Sequence, residues 1–182
     1  MKNLLIVFFQ FPNKNKDSLA VGAQLKKFLV EETLYLAREF KDTGTAVWIL
    51  YAPEDKDQSN LWLKDFGACY SQKGKNKGER LFNAMQLGFT KKAAKVVLIL
   101  GRDYPEMTFN LLRQSYEQLD VQDVVVGPTT GGEFYLIGMR KLTPDLFQEI
   151  DWSGDSVLEQ ILIRVRRTHL KYSLLPELKN ML

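Results

Sequence analysis

Runs of continuous apolar residues alternate along this chain with segments whose apolar positions recur every three or four residues. The continuous runs predict buried strands at 3–9, 46–52, 95–101, 123–127 and 133–140. The segments with helical spacing predict helices at 22–40, 78–93, 108–119 and 155–167. Weaker patterns predict short strands at 68–72 and 171–175, and short helices at 60–66 and 144–150. Continuously apolar strands separated by helices indicate a parallel sheet with helices on both faces.

The sequence therefore predicts an α/β fold with three α/β/α layers and a mostly parallel central sheet. A chain of 182 residues is long enough to bury a hydrophobic core of its own. Because no internal repeat, low-complexity segment or linker interrupts the pattern, we expect a single domain over residues 1–182.

Composition and charge narrow the classes of protein to which the chain can belong. With 45% hydrophobic and 26% charged residues, it has the composition of a soluble globular protein. The apolar run at 3–9 is short and is broken by Gln10 and Pro12, so it predicts a first strand and not a signal sequence. No run approaches the roughly 20 apolar residues of a membrane span, so we expect no membrane partner. Cys69 is the single cysteine, which excludes a disulfide scaffold and favours a cytoplasmic protein.

The net charge of +3 is spread along the chain, with a local excess of basic residues at 71–80 and at 163–171. Neither stretch has aromatic residues interleaved at a spacing that suggests base stacking, so we expect no nucleic-acid partner. Both stretches instead predict solvated basic faces.

The loops that follow the strands are the expected place for ligand-binding residues, since ligands of open parallel sheets lie beyond the carboxyl ends of the strands. After the first strand, Lys14, Lys16 and Ser18 precede a helix, where cationic side chains and helix amides can meet a phosphate. The glycines of the phosphate-loop and dinucleotide fingerprints are missing from this loop, so the pattern alone supports phosphate binding only weakly.

Asp103 follows the strand at 95–101 and has two interpretations. A carboxylate at the exit of a buried strand can hold a divalent cation such as Mg²⁺, which bridges protein carboxylates to substrate phosphates. An aspartate close to a turn proline, here Pro105, also ends strands by hydrogen bonding to nearby backbone amides. Glu106 is the only acidic neighbour in the same loop, and local sequence leaves both interpretations open.

Gly131 and Gly132 lie in the loop that follows the strand at 123–127. Glycines permit backbone conformations that other residues avoid, and they allow a ligand to approach closely. A plain β-turn between two strands uses the same residues, and the local pattern favours the turn.

Five stretches resemble, together and in order, a bacterial family of glycosyltransferase-like proteins with the type A glycosyltransferase fold, related to molybdenum-cofactor and phospholactate guanylyltransferases. The stretches are LLIVFFQFP, QKGKNKGERLFNAM, VVLILGRDYPEM, DVVVGPTTGGEFYLIGM and LFQEIDWSGDSVLEQ. The resemblance implies a nucleotide-diphospho-sugar transferase-like fold. It also implies a metal-dependent transferase whose partner is a nucleotide or nucleotide sugar, with Mg²⁺ or Mn²⁺ as cofactor.

The resemblance also assigns roles to residues. It implies that Asp103 holds the metal, and we expect Asp103 to act in catalysis together with Glu133. The residues predicted for the nucleotide and its phosphates, in part from the resemblance and in part from the loops themselves, are Pro12, Lys14, Lys16, Ser18, Gln72, Gly74, Glu79, Arg80 and Arg102. The residues implied for the acceptor side are Gly131, Gly132, Tyr135, Trp152 and Ser153.

The chain departs from the family pattern in the loops that would carry the chemistry. Ser18 stands where the family usually has an arginine, and Asn76 where it has an acid, followed by Lys77. Glu133 appears two positions after the turn position at which the family has its acid, now Gly131. Metal binding at Asp103 then requires Glu133 or Glu106 as a second carboxylate. The alternative hypothesis is a catalytically inactive homologue that binds a ligand or another protein.

Overall fold

The computed structural model describes residues 3–9, 20–57, 63, 66, 68–101 and 104–179. Within this part of the chain the strands are β1 Asn3–Phe9, β2 Ala46–Tyr51, β3 Cys69–Ser71, β4 Lys95–Leu100, β5 Val124–Pro128, β6 Phe134–Met139 and β7 Tyr172–Leu174. The helices are α1 Ala20–Asp42, α2 Lys77–Thr90, α3 Phe109–Gln118 and α4 Val157–Arg167. Each long helix and strand lies where the hydrophobic pattern predicts it, within a few residues at its ends.

The short helix predicted at 144–150 is wrong in extent. The structure has a single 3-10 turn there, Pro144–Leu146. Glu149 adopts a positive φ of 51°, which a continuing helix does not allow. Phe147 and Ile150 are buried against one face of the sheet, so burial and not a longer helix accounts for the apolar pattern. The helix predicted at 60–66 falls largely outside the described residues.

The seven strands form one sheet in the order β3-β2-β1-β4-β6-β5-β7. Neighbouring strands are parallel except where β6 pairs antiparallel with β4 and with β5. Five residues, 129–133, connect β5 to β6, and so short a connection permits only an antiparallel pair. The prediction of a mostly parallel sheet is confirmed, with β6 as the strand that runs the other way.

Helices cover both faces of the sheet. On one face α1 and α3 bury apolar side chains, and Phe40 of α1 stacks on Tyr116 of α3 with ring centroids 5.6 Å apart. The Tyr116 hydroxyl donates to the backbone oxygen of Leu4, at 2.7 Å, which fixes this layer to the central strand β1. On the other face α2 and α4 bury Leu81 and Ile161 among other residues. The predicted three-layer α/β/α arrangement is confirmed.

Helix starts follow from local capping. Thr108 is the N-cap of α3, and its hydroxyl oxygen accepts the amide N–H of Leu111. Among the described residues no helix combines the length and apolar character needed to cross a membrane.

Candidate functional site

One edge of the sheet gathers the segments that carry the predicted chemistry. β1, β2, β3 and β4 all end at this edge, and the antiparallel β6 begins there. Backbone hydrogen bonds extend the order of the sheet beyond the strand ends: the Ala52 amide donates to Phe9 at 3.2 Å, and the Gly101 amide to Phe8 at 3.0 Å. Segments leaving these strands therefore start from fixed positions.

Gln72 joins two of the strand ends. Its side chain is buried, with 3% of the residue surface exposed. The side-chain amide donates to the backbone oxygens of Phe9, at 2.7 Å, and of Leu50, at 2.9 Å. Gln72 was predicted to bind the nucleotide, and the structure gives its amide nitrogen a structural task at the ends of β1 and β2.

Replacing Gln72 with Leu is expected to lower the free energy of unfolding by about 2 kcal/mol, because two buried carbonyl groups each lose a hydrogen bond. Urea unfolding followed by circular dichroism measures this loss. The control is Gln114→Leu, at an exposed position of α3, for which we expect a change within about 0.5 kcal/mol. Equal effects of the two substitutions would contradict the structural role of Gln72.

The loop after β3 closes over the start of α2 through Gly74. This glycine has a φ of 139°, and a Cβ atom there would lie 2.7 Å from the backbone nitrogen of Arg80. The Arg80 Nε group donates back to the Gly74 oxygen at 3.2 Å. Only glycine fits so close to the helix, so Gly74 and Arg80 shape the segment 72–80, which we call the basic loop.

Asn76 and Glu79 form a reciprocal cap at the start of α2. The Asn76 Oδ1 atom accepts the Glu79 amide at 2.9 Å, and the Glu79 Oε2 atom accepts the Lys75 amide at 2.8 Å. The arrangement resembles a capping box, except that Glu79 accepts the amide of the residue before the N-cap and not that of the N-cap itself. Asn76, a departure from the family pattern, keeps the acceptor oxygen that the cap needs.

Two cations of the basic loop are paired with carboxylates from flanking loops. The Lys77 Nζ atom lies 2.5 Å from Glu133 Oε1, with 35% and 31% of the two side chains exposed. The Arg80 guanidinium lies 3.5 Å from Glu54, which follows β2. The basic loop therefore lies between a carboxylate after β2 and a carboxylate before β6.

The turn from β5 to β6 holds Glu133 in place. The Thr129 hydroxyl oxygen accepts the Glu133 amide at 3.2 Å, and the Thr129 amide donates to the Glu133 oxygen at 3.0 Å.

Gly132 has a φ of 75°, and a Cβ atom there would lie 1.6 Å from the Asp155 backbone oxygen. The close approach predicted for these glycines is made by the protein's own backbone, since the Leu158 amide donates to Gly132 at 2.8 Å. A Cβ atom at Gly131 would meet only the Thr129 hydroxyl, at 4.0 Å.

Trp152 lies against the first turn of α2. A Cβ atom at Gly78 would be 2.1 Å from the Trp152 indole nitrogen, so glycine makes room for the ring. The indole stacks on Phe147, with centroids 6.4 Å apart and planes 14° from parallel. Next to it, the Ser153 hydroxyl and amide both donate to Asp151, and these two hydrogen bonds lower the pKa of the Asp151 carboxyl. Trp152 thus belongs to the wall of the site next to the basic loop.

A cavity of about 310 Å³ separates the basic loop from the segment 144–152. The residues that line it include Asn76, Gly78, Glu79, Phe82, Phe147 and Trp152. Its wall is aromatic on one side and carries the helix cap on the other, so it can receive an apolar or ring-shaped group.

Tyr135 lies away from this cavity. Its ring is buried in the core on the face covered by α1 and α3, where it fills the space left by Gly127. The hydroxyl donates to the Pro176 backbone oxygen at 3.0 Å, and burial raises the pKa of Tyr135 well above its usual value. The structure therefore separates Tyr135 from Trp152 and Ser153, with which it was predicted to share the acceptor side.

Six residues predicted for the site lie outside the described part of the chain. They are Pro12, Lys14, Lys16, Ser18, Arg102 and Asp103. Of the predicted residues that are described, the structure brings Gly74, Glu79, Arg80, Glu133 and Trp152 to one region.

Residues 35–154 match the family of uncharacterized proteins conserved in bacteria, DUF2064. The match covers well over half of the chain. The chain belongs to the DUF2064 family. All of the described site residues fall within the matched region, and a comparison with curated proteins gives no match.

Solved structures agree with the fold of this DUF2064 protein. A "putative nucleotide-diphospho-sugar transferase" from Desulfovibrio desulfuricans is 27% identical, with a TM-score of 0.88, and the match covers 99% of this chain and 82% of that one. A 4-diphosphocytidyl-2C-methyl-D-erythritol synthase from Anaerococcus prevotii is 12% identical, with a TM-score of 0.62, covering 97% and 87%. Rv0371C from Mycobacterium tuberculosis, in complex with manganese, is 12% identical, with a TM-score of 0.58, covering 99% and 90%. The resemblance to a nucleotide-diphospho-sugar transferase-like fold is confirmed.

Metal binding can be tested in part against the residues of the DUF2064 chain. Among the described residues, no group of three or more His, Cys, Asp or Glu side chains could hold a metal ion. Glu133 offers the oxygen donors that Mg²⁺ and Mn²⁺ prefer, and it lies at the edge where β4 leads toward Asp103. The Glu133 carboxylate therefore has suitable oxygen atoms for a metal ion. In this structure, however, its Oε1 atom is paired with the Lys77 ammonium group.

Two residues of the site, Lys77 and Glu54, were missed by sequence reasoning. The basic excess at 71–80 predicts a solvated face, but Lys77 and Arg80 of that stretch are ion paired with Glu133 and Glu54. A signal was present for Lys77, because both it and Glu133 are departures from the family pattern. Two departures in separate loops that carry opposite charges indicate a contact between them.

Proposed function

We propose that this DUF2064 protein is a transferase that acts on a nucleotide or nucleotide sugar and binds the phosphates at the basic loop. The observation that carries the proposal is the position of this loop. Its cations Lys77 and Arg80 lie at the carboxyl edge of the sheet, beside the strand that leads to Asp103. The 27% identical structure with the same fold supports the same class of substrate.

The chemistry expected of such a site is positioning and neutralisation of charge. Phosphoryl and glycosyl transfer from a nucleotide develop negative charge on phosphate oxygens, and cations fixed in place stabilise that charge. Arg80 can donate two hydrogen bonds to phosphate oxygens through its planar guanidinium, whereas Lys77 acts as a point charge. A divalent cation, Mg²⁺ or Mn²⁺, held by Asp103 and Glu133 would add positive charge at the same phosphates.

The cavity beside the basic loop suits the group that is transferred or the acceptor that receives it. A sugar or other ring can stack on the aromatic wall formed by Phe147 and Trp152. Ser153 and Asp151 lie at the rim next to Trp152, where their hydrogen-bonded pair can accept or orient a hydroxyl group. These contacts support an acceptor side at Trp152 and Ser153.

Calorimetry with nucleoside triphosphates and nucleotide sugars, each with EDTA, Mg²⁺ or Mn²⁺, tests the proposal. We expect at least one compound to bind with a Kd of about 100 µM or lower, and more tightly with metal, because a divalent ion offsets phosphate charge. Failure of every compound to bind under all three conditions would overturn the proposed function.

Replacing Asp103 with Ala is expected to remove the metal-dependent part of that affinity, a loss of about tenfold or more. The control is Asp42→Ala, an exposed position at the end of α1 on the opposite edge of the sheet. If Asp103→Ala retains the full difference between EDTA and Mn²⁺, the metal role of Asp103 is wrong.

A further inference from the structure

Lys77 and Glu133 form an ion pair between two loops that are 56 residues apart in the chain. Lys77 is the first residue of α2, and Glu133 is the last residue before β6. Both backbones are fixed, the first by the Asn76 cap and the second by hydrogen bonds to Thr129. The side chains alone are therefore free to change partners.

From this geometry we infer that Lys77 binds the phosphate of the substrate. Before the substrate binds, the Glu133 carboxylate occupies the position beside Lys77 that the phosphate takes later. This inference rests on the proposed function and adds a phosphate-binding residue and a partner exchange to it. When an anion binds, the Lys77 ammonium group turns from the carboxylate to the phosphate. The Glu133 carboxylate is then released to another cation.

The exposure of the pair makes such an exchange feasible. About a third of each side chain is in contact with solvent, and ion pairs of this exposure contribute little net stability. A phosphate group carries more negative charge than a carboxylate and offers more acceptor oxygens, so it competes well for the same ammonium group. No part of the backbone has to move.

The charges around the pair favour the same conclusion. Arg80, one turn of α2 further on, is paired with Glu54 in the same manner, at the longer distance of 3.5 Å. The basic loop thus presents two cations toward two carboxylates, each contributed by a different neighbouring loop. Glu133 has no ion pair other than that with Lys77 among the described residues, so its release from Lys77 leaves an unpaired carboxylate at the edge of the sheet.

Inorganic pyrophosphate is the probe that tests the exchange, because it carries the charge of a diphosphate without base or sugar. Its binding in EDTA is measured by calorimetry for the wild type, Lys77→Met, Glu133→Gln and the double variant. We expect Glu133→Gln to bind pyrophosphate about threefold more tightly than the wild type, since Lys77 no longer has a competing carboxylate. Lys77→Met is expected to bind roughly tenfold more weakly.

The double variant decides the matter. If Glu133 acts by occupying Lys77, Glu133→Gln has no effect once Lys77 is replaced, and the double variant binds like Lys77→Met. If Glu133→Gln tightens binding equally in both backgrounds, Glu133 acts only as a nearby negative charge, and the exchange is overturned. Lys91→Met, at the opposite end of α2, controls for the loss of one lysine and is expected to bind like the wild type.

Binding of Mn²⁺ alone is a second test of the exchange, and it needs no nucleotide. Lys77→Met frees the Glu133 carboxylate, so it is expected to bind Mn²⁺ several-fold more tightly than the wild type, whereas the double variant is not. Unchanged Mn²⁺ affinity in Lys77→Met, or no pyrophosphate binding by any of the four proteins, overturns the exchange. The proposed function is judged separately by the nucleotide panel, so either can fail while the other stands.

Discussion

Replacing Gly132 with Ala is expected to lower the free energy of unfolding by about 3–5 kcal/mol, because the new Cβ atom meets backbone and cannot be relieved by a side-chain rotation. That atom would lie 1.6 Å from the Asp155 oxygen. The φ of 75° adds strain of its own, since residues with a Cβ avoid this region. Urea unfolding followed by circular dichroism measures the loss, which is a large share of the stability of an ordinary domain.

Gly131 supplies the matched control for this substitution. It precedes Gly132 in the same turn, but a Cβ atom there would meet nothing closer than 4.0 Å. We expect Gly131→Ala to change the free energy of unfolding by no more than about 0.5 kcal/mol. A stable Gly132→Ala variant would show that the turn does not hold the backbone contact with Asp155.

The contrast between these two glycines shows what sequence alone could predict about the turn. The pair allows either a β-turn, which the local pattern favours, or the close approach of a ligand. The turn exists, and the close approach is to the segment before α4. Which glycine is constrained depends on the packing of residues that lie more than twenty positions away, and no local pattern records this.

The direction of the strands was harder to predict from the sequence than their positions. β6 is buried throughout, and the strands β1, β4 and β5, which run the other way, are buried along most of their length, so the continuous apolar residues of β6 give no indication of its direction. The length of the connection does, because the five residues 129–133 are too few for a parallel crossover. Direction matters for the site, since only an antiparallel β6 brings Glu133 to the edge where β4 ends.

Two residues of the family pattern have a structural task in addition to the role that the resemblance implies for them. Gln72 and Glu79 match the family pattern and were assigned to the nucleotide, yet their side chains support strand ends and a helix cap. Such residues shape a site through contacts within the protein. Lys77 does not match the pattern, and for that reason was left out of the predicted site, although it carries a charge into the same region. Differences from a family can therefore be as informative as agreements when two of them meet in space.

The packing of Trp152 against Gly78 can be tested by substitution. Gly78→Ala is expected to lower the free energy of unfolding by about 2–3 kcal/mol, because its Cβ atom would lie 2.1 Å from the indole nitrogen of Trp152. The ring cannot turn aside easily, since it is stacked on Phe147 and lies edge-on to Phe134. Unfolding in urea gives the magnitude for the single variant.

The decisive result comes from the same substitution in a protein that lacks the indole. In a Trp152→Ala background the space beside α2 is open, and Gly78→Ala should then stabilise the protein by up to about 1 kcal/mol, because alanine favours a helix over glycine. The sign of the effect thus reverses when the ring is removed. A loss of stability of equal size in both backgrounds would mean that Gly78 is required by the backbone of α2 and not by Trp152. Reversal would instead establish that Trp152 lies on the first turn of α2, where it forms the wall of the cavity beside the basic loop.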